Sequence, residues 1–173
     1  MTLVVNQAGI IHITVFGKEF LKHVNHVEYS MNKQGYHFGV ISSSMHIAWM
    51  RQVCGRLKSD YWYSNKLVYN NYPWPEAPST KQSAAVEAAA QRVLDARKEF
   101  PRASLADLYD PLAMPAALVE AHDELDRAVD LCYRSQPFES DRQRVEPLCT
   151  LYEKLSALLI APAKKGRRKA PKN

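Results

Sequence analysis

Hydrophobic and polar positions divide the chain into two parts with different periodicity. In the first part, short β-branched and aromatic runs end at glycines or turn-forming residues, which predicts strands. These runs cover residues 3–5, 10–16, 36–41, 61–64 and 67–70. The first two runs are separated by Gly9, as strands of a hairpin would be. The pattern therefore predicts a β-rich segment at the start of the chain.

One short helix is predicted inside this segment. Three serines at 42–44 offer a helix cap, and residues 45–54 follow without a helix breaker until Gly55. Pro73 and Pro75 then end the region, because proline interrupts both helices and central strands. We place a domain boundary at about residues 76–79.

The second part has helical periodicity. Ser79 and Gln82 have the spacing of a capping box, and an alanine-rich helix is expected over 82–100. Ser104 is expected to cap a short turn that runs through Tyr109. A second helix carries an apolar stripe at Leu118, Ala121, Leu125, Ala128, Val129 and Cys132. A third is expected over about 140–160, where Pro147 either kinks or restarts it.

These elements predict an α+β fold. A small, partial β-rich segment with one short helix is followed by a compact three-helix unit. The corresponding domains are 1–76 and 77–163, and residues 164–173 form a basic tail that we expect to be disordered because it has no large apolar side chain.

Composition supports a packed core and reveals an uneven charge. The 173 residues are 46% hydrophobic and 24% charged, with a net charge of +5. Residues 37–76 hold four basic and two acidic side chains, residues 77–163 ten and fourteen, and the tail six and none. The positive charge therefore lies on both sides of an acidic helical body, which draws attention to 37–76 as a surface for polyanions.

Several classes of chemistry lack support in the sequence. The six glycines form neither a phosphate-binding loop nor a dinucleotide-binding turn, so nucleotide hydrolysis is not expected. His23, His26 and Glu28 have a loose spacing that favours ordinary histidines over a metal site. The three cysteines form no C-x-x-C pair, and no run reaches about 18 apolar residues, so we expect a cytoplasmic protein without a membrane partner.

The segment 71–74 partly matches the Asn/Asp-Pro-Pro-aromatic loop of adenine methyltransferases, whose aromatic ring stacks on a flipped base. Here Tyr72 replaces the first proline, and no glycine-rich cofactor strand precedes it. We favour a structural role, in which the prolines and aromatic rings seal a domain junction, and assign no catalytic residue.

Residues 49–74 interleave basic, aromatic and amide side chains, the types that contact phosphates, stack on bases and read base edges. The candidates for DNA binding are Arg51, Arg56, Lys58, Lys66, Tyr63, Asn70 and Asn71. Composition alone leaves a second interpretation open, in which this segment is a half-buried sheet with ordinary cationic flanks.

Longer motifs bring a family resemblance. They are YHFGVISSSMHIAWMR at 36–51, GRLKSDYWYS at 55–64, SLADLYDP at 104–111 and H-x-x-L-D-x-A-V-D-x-x-Y at 122–133. With these motifs the chain resembles the carboxy-terminal portion of MmeI-like class I DNA methyltransferases, which are large single-chain restriction-modification enzymes. The resemblance spans 36 to about 160, whereas residues 1–35 match poorly.

The resemblance implies the end of a target-recognition domain followed by a helical C-terminal domain. The family's adenine-specific methyltransferase core, with its S-adenosylmethionine-binding glycines and catalytic loop, would lie upstream. Double-stranded DNA and that core are therefore the expected partners, and this chain alone is expected to hold no cofactor and to be inactive. The alternative is a protein-interaction fragment that docks on the absent methyltransferase body, or dimerises through an exposed interface, without binding DNA independently.

Overall fold

Helices dominate the fold of the chain. The structure is a computed structural model, and it describes residues 4–5, 11–12, 31–57, 60–110 and 112–160. The helices are α1 (Met31–Ile41), α2 (Ser44–Val53), α3 (Thr80–Lys98), α4 (Leu105–Leu108), α5 (Ala116–Tyr133) and α6 (Asp141–Ile160). A π-helical turn covers Asn65–Tyr69. The strands β1 (Val4–Val5) and β2 (Ile11–His12) pair antiparallel, as do β3 (Gly55–Leu57) and β4 (Asp60–Trp62).

The predicted α+β class is wrong, because the described part of the chain is helical. Its strands form only two ladders, of two and three residue pairs. Ladders of this size have no face wide enough to cover a hydrophobic core. The core is built instead from helices, with Met45, Val93 and Leu125 among its fully buried side chains.

Two of the predicted strands have a different structure. Residues 36–41 belong to helix α1, and residues 67–70 fall largely within the π-helical turn. Their valines, Val40 and Val68, are both 0% exposed. β-branched residues favour strands mainly because they pack well on a half-buried surface, and here a helix and a turn bury them instead.

The predicted capping box at α3 is confirmed, and so is the cap expected at Ser104. The Ser79 hydroxyl accepts from the Gln82 backbone N–H at 3.2 Å, and the Gln82 side chain accepts from the Ser79 N–H at 2.9 Å. Ser104 and Asp107 repeat this arrangement at α4. Pro147 lies inside α6, which continues across it.

The expected three-helix unit does not stand apart from the rest of the protein. Helix α3 packs between α1 and α5, whereas α6 packs mainly on α2. One core cluster therefore includes side chains from both predicted domains, such as Phe38, Met50, Val86 and Leu148. Among the described helices, none has the length and apolar character needed to cross a membrane.

The start of α2 lies where the serines predicted it, but the cap is different. Ser43 occupies the N-cap position without a capping hydrogen bond from its side chain, and its hydroxyl donates instead to the Val40 carbonyl at 2.7 Å. The Ser44 N–H donates to Asp126 Oδ1 of α5 at 2.7 Å. A carboxylate from a distant helix thus supplies the acceptor at this helix N-terminus.

Candidate nucleic-acid interface

The 65–71 turn, which comprises the π-helical residues and the two asparagines after them, carries the exposed polar side chains of the candidate site. Lys66 and Asn70 are both exposed. The amides of Leu67 and Val68 donate to the Ser64 carbonyl at 3.1 and 2.7 Å. This compact backbone presents one cation and one amide side chain, four residues apart in sequence, on a surface loop.

Buried contacts fix the turn to helix α2. The Trp49 indole Nε1 donates to the Val68 carbonyl at 3.1 Å, and Trp49 is only 3% exposed. Tyr72 follows the turn and places its ring 4.7 Å from His46, measured between ring centroids. The inner side of the exposed turn therefore packs against a buried aromatic cluster that includes His46, Trp49 and Tyr72.

His46 and Tyr63 form a buried polar pair within this aromatic cluster. The Nε2 atom of His46 lies 3.1 Å from the Tyr63 hydroxyl, and the two residues are 0% and 6% exposed. Burial lowers the pKa of His46 to about 3 and raises the pKa of Tyr63. Both groups are consequently neutral at physiological pH, and neither adds charge to the surface above them.

The predicted DNA-binding residues lie in different surroundings. Lys66 and Asn70 are exposed on the turn, but the Asn71 side chain is half-buried and donates to the carbonyls of Lys66 at 2.8 Å and Leu67 at 3.2 Å. Tyr63 is buried in the aromatic cluster. Asn71 and Tyr63 therefore already serve the local structure.

The predicted cations also differ in their surroundings. The Arg51 guanidinium pairs with the carboxylate of Asp141, and its side chain is 26% exposed. The side chain of Arg56 and the whole of Lys58 lie outside the described residues. Among the four predicted basic residues, Lys66 is thus the one that the structure shows as an exposed cation.

Two acidic residues matter here that the sequence did not single out. Asp126 bonds to Ser44 across 82 residues, and Asp141 bonds to Arg51 across 90. Burial raises the pKa of Asp126, against the lowering effect of its bonds from Ser44. Helical charge patterning could not reveal these contacts, since their partners are distant in sequence.

The segment 71–74 packs as its structural interpretation requires. Tyr72 is 4% exposed, and Pro73 is fully buried. The Tyr133 hydroxyl of α5 lies 2.7 Å from the Tyr72 hydroxyl and 3.0 Å from the Pro73 carbonyl. These contacts join the end of the first region to the helices of the second.

Metal binding finds no support within the part of the chain that the structure describes, where no group of three or more His, Cys, Asp or Glu is placed to hold an ion. The motif of His23, His26 and Glu28 lies outside the described residues. So do most of the predicted hairpin and the basic tail from 164 to 173.

Comparison with known proteins places the chain in one family. The MmeI target recognition domain matches residues 13–76, and the MmeI C-terminal domain matches residues 78–160. DNA methyltransferase A of Bacillus subtilis (strain 168) is 44% identical over 121 residues, which are 70% of this chain and 14% of that protein.

A solved structure gives the same answer. The type IIL restriction-modification enzyme MmeI, in complex with DNA, is similar with a TM-score of 0.68 and 46% identity over 72% of this chain. This chain spans only 16% of that enzyme. Because both domain matches and both relatives agree, the chain belongs to the MmeI family, in which it corresponds to the target recognition and C-terminal domains.

Proposed function

We propose that this chain is the DNA-recognition and helical accessory module of an adenine-specific, S-adenosylmethionine-dependent DNA methyltransferase of a restriction-modification system. The observation that carries the proposal is the 46% identity to MmeI, which was solved in complex with DNA. The match to a target recognition domain over residues 13–76 includes the 65–71 turn.

In this proposal the chain contributes binding and orientation. Lys66 contacts a backbone phosphate, which supplies affinity and register, and Asn70 offers a donor and an acceptor to a base edge. Arg56 and Lys58 are proposed as further phosphate contacts. S-adenosylmethionine supplies the methyl group and is held by the family's catalytic core, which this chain helps to align with its target base.

Fluorescence anisotropy with duplex DNA tests the proposal. We expect the chain to bind at low salt and to weaken as salt rises, because each phosphate contact releases counterions. Lys66→Gln should reduce the slope of log affinity against log salt by about 0.9. Lys81→Gln is the matched control, since Lys81 is an exposed lysine in the first turn of α3 and should leave the slope unchanged.

Two results would count against the proposal, the first against DNA binding itself and the second against phosphate contacts at the 65–71 turn. One is the absence of binding even at low salt. The other is binding with equal slopes for the wild type, Lys66→Gln and Lys81→Gln, which would place the phosphate contacts away from the turn.

In a second candidate function, the chain docks on the methyltransferase core without binding DNA by itself, and exposed leucines are available for such a contact. Leu112 is 97% exposed, Leu67 56% and Leu131 51%. Single exposed apolar side chains are common on protein surfaces, and a contiguous patch is what marks a surface that another protein covers. Co-purification with the upstream domains, together with no DNA binding by the chain alone, would favour this candidate.

A further inference from the structure

We infer that Asp126 and Asp141 are positioning residues that hold the two ends of α2 and thereby fix the 65–71 turn for DNA recognition. The inference rests on the proposed function for its link to DNA, but its structural part can be tested without DNA. It gives the C-terminal helices a definite role in recognition, although none of their residues was a candidate for DNA contact.

The first contact is at the N-terminus of α2. The Ser44 N–H donates to Asp126 Oδ1 at 2.7 Å, and the Ser44 hydroxyl donates to Oδ2 of the same carboxylate. A negative group at a helix N-terminus satisfies an amide that lacks an intrahelical partner and interacts favourably with the helix dipole. Asp126 lies on α5 next to the fully buried Leu125 and is itself half-buried.

The second contact is at the opposite end of the same helix. Arg51 in the last turn of α2 pairs with Asp141 in the first turn of α6. Arg144 lies 3.8 Å from Asp141 and also binds Asp130 of α5 at 2.8 Å. The Arg144 and Asp130 side chains are only 14% and 10% exposed, so this pair ties α6 to α5 within the protein.

Side chains between the two ends of α2 carry its position to the turn. His46 contacts Tyr63 just before the turn, and Trp49 bonds to the Val68 carbonyl within it. A shift or fraying of α2 would therefore change the backbone of the residues that present Lys66 and Asn70. This arrangement also gives Arg51 a role through Asp141, instead of the phosphate contact that its charge suggested.

Hydrogen exchange tests the structural part of the inference on the whole chain. The amides to follow are those of Leu67, Val68 and Tyr72, which donate to carbonyls within and beside the turn. In Asp126→Ala we expect their protection to fall about five- to tenfold, the loss that corresponds to removing a helix cap, while the amides in the middle of α3 keep theirs.

Asp123→Ala is the matched control, because Asp123 is an exposed aspartate one turn before Asp126 on the same helix. Asp126→Asn keeps one acceptor for the Ser44 N–H and should give an intermediate loss of protection. It replaces Asp126→Ala if that variant does not fold. Turn protection unchanged in the Asp126 variants, or lowered equally in α3, would overturn the inference.

A charge exchange tests the other end and separates positioning from direct DNA contact. Arg51→Glu and Asp141→Arg should each lower both turn protection and DNA affinity. The double variant, which restores an ion pair with reversed polarity, should recover part of both, because Arg144 lies 3.8 Å from Asp141 and would repel an arginine at that position. If the double variant recovers turn protection but binds DNA as weakly as Arg51→Glu, Arg51 is a phosphate contact and the inference is wrong for this end.

The two proposals fail in different ways. If the wild-type chain binds no DNA at low salt, the proposed function fails, while hydrogen exchange still decides whether Asp126 and Asp141 hold the turn. If the wild type binds DNA and the Asp126 and charge-exchange variants bind equally well, the positioning role fails and the proposed function stands.

Discussion

Replacing Gly39 by alanine tests the packing that defines the helical core. Gly39 lies on α1 where that helix meets α3 and α5. A Cβ at this position would come within 2.7 Å of Val86 Cγ1 and 3.2 Å of both Ala90 Cβ and Leu125 Cδ1. Val86 is fully buried and stiff about χ1, and a Cβ such as that of Ala90 moves only with its backbone. The added methyl therefore has no easy way to be accommodated.

The expected magnitude comes from two opposing effects. Glycine in a helix interior costs about 1 kcal/mol relative to alanine, so the substitution gains that amount in helix propensity. Adding a methyl group to a close-packed core typically costs about 1–3 kcal/mol. We therefore expect Gly39→Ala to lower the free energy of unfolding by as much as about 2 kcal/mol.

Gly35 provides a control on the same helix. A Cβ there would meet its nearest neighbour, Glu87 Cγ, at 3.4 Å, which is ordinary contact with a flexible side chain. Gly35→Ala should stabilise the protein by about 0.5–1 kcal/mol. The difference between the two variants largely cancels the propensity gain, and should be about 1–3 kcal/mol of packing cost at Gly39.

Urea unfolding followed by far-ultraviolet circular dichroism measures these free energies. In a Val86→Ala background the closest clashing atom is removed, so the cost of Gly39→Ala should fall by about 1 kcal/mol or more. Equal stabilisation by Gly35→Ala and Gly39→Ala would refute the close contact among α1, α3 and α5.

Two further predictions concern buried polar groups. Because burial lowers the pKa of His46 to about 3, from about 6.5 when unfolded, its contribution is fully present above pH 6.5 and is lost as pH falls toward 3. Unfolding free energies at pH 7 and pH 4 should therefore differ by about 3 kcal/mol more in the wild type than in His46→Gln, and equal pH dependence would contradict this. In a second variant, Tyr109→Phe removes a hydroxyl that accepts from Arg97 Nε at 2.8 Å and lies 2.8 Å from His122 Nε2. It should cost about 1–3 kcal/mol in urea unfolding, and a loss below about 0.5 kcal/mol would show that the hydroxyl contributes little.

Helix boundaries in the second part of the chain were predictable because their signals are local. A capping box needs only residues three positions apart, as in Ser79 with Gln82 and Ser104 with Asp107. The apolar stripe of α5 likewise gave Leu118, Leu125 and Val129 as core residues, and all three are fully buried.

The first part was harder because its aromatic and β-branched residues suit any buried position. The pattern of residues 36–41 predicts a strand, yet these residues form part of helix α1, and Gly39 allows this helix to approach α3 closely. That approach depends on Val86 and Ala90, which lie far away in sequence, so no local pattern could report it.

In the candidate site, too, some features could be predicted from the sequence and others depended on distant contacts. Residue types alone drew attention to 49–74, but they could not tell the exposed Lys66 from the paired Arg51 or the buried Tyr63. Those differences arise from contacts across the core.

By itself, the sequence determined the family, the caps of α3 and α4 and the uneven charge, since each depends on residues close together in the chain or on motifs read in order. Only the tertiary structure decided that α1 is a helix, that α6 packs on α2, and that Asp126 and Asp141 bind the two ends of α2. The physical reason is that burial and ion pairing depend on which distant segments meet, and that choice is made by the packing of the whole core.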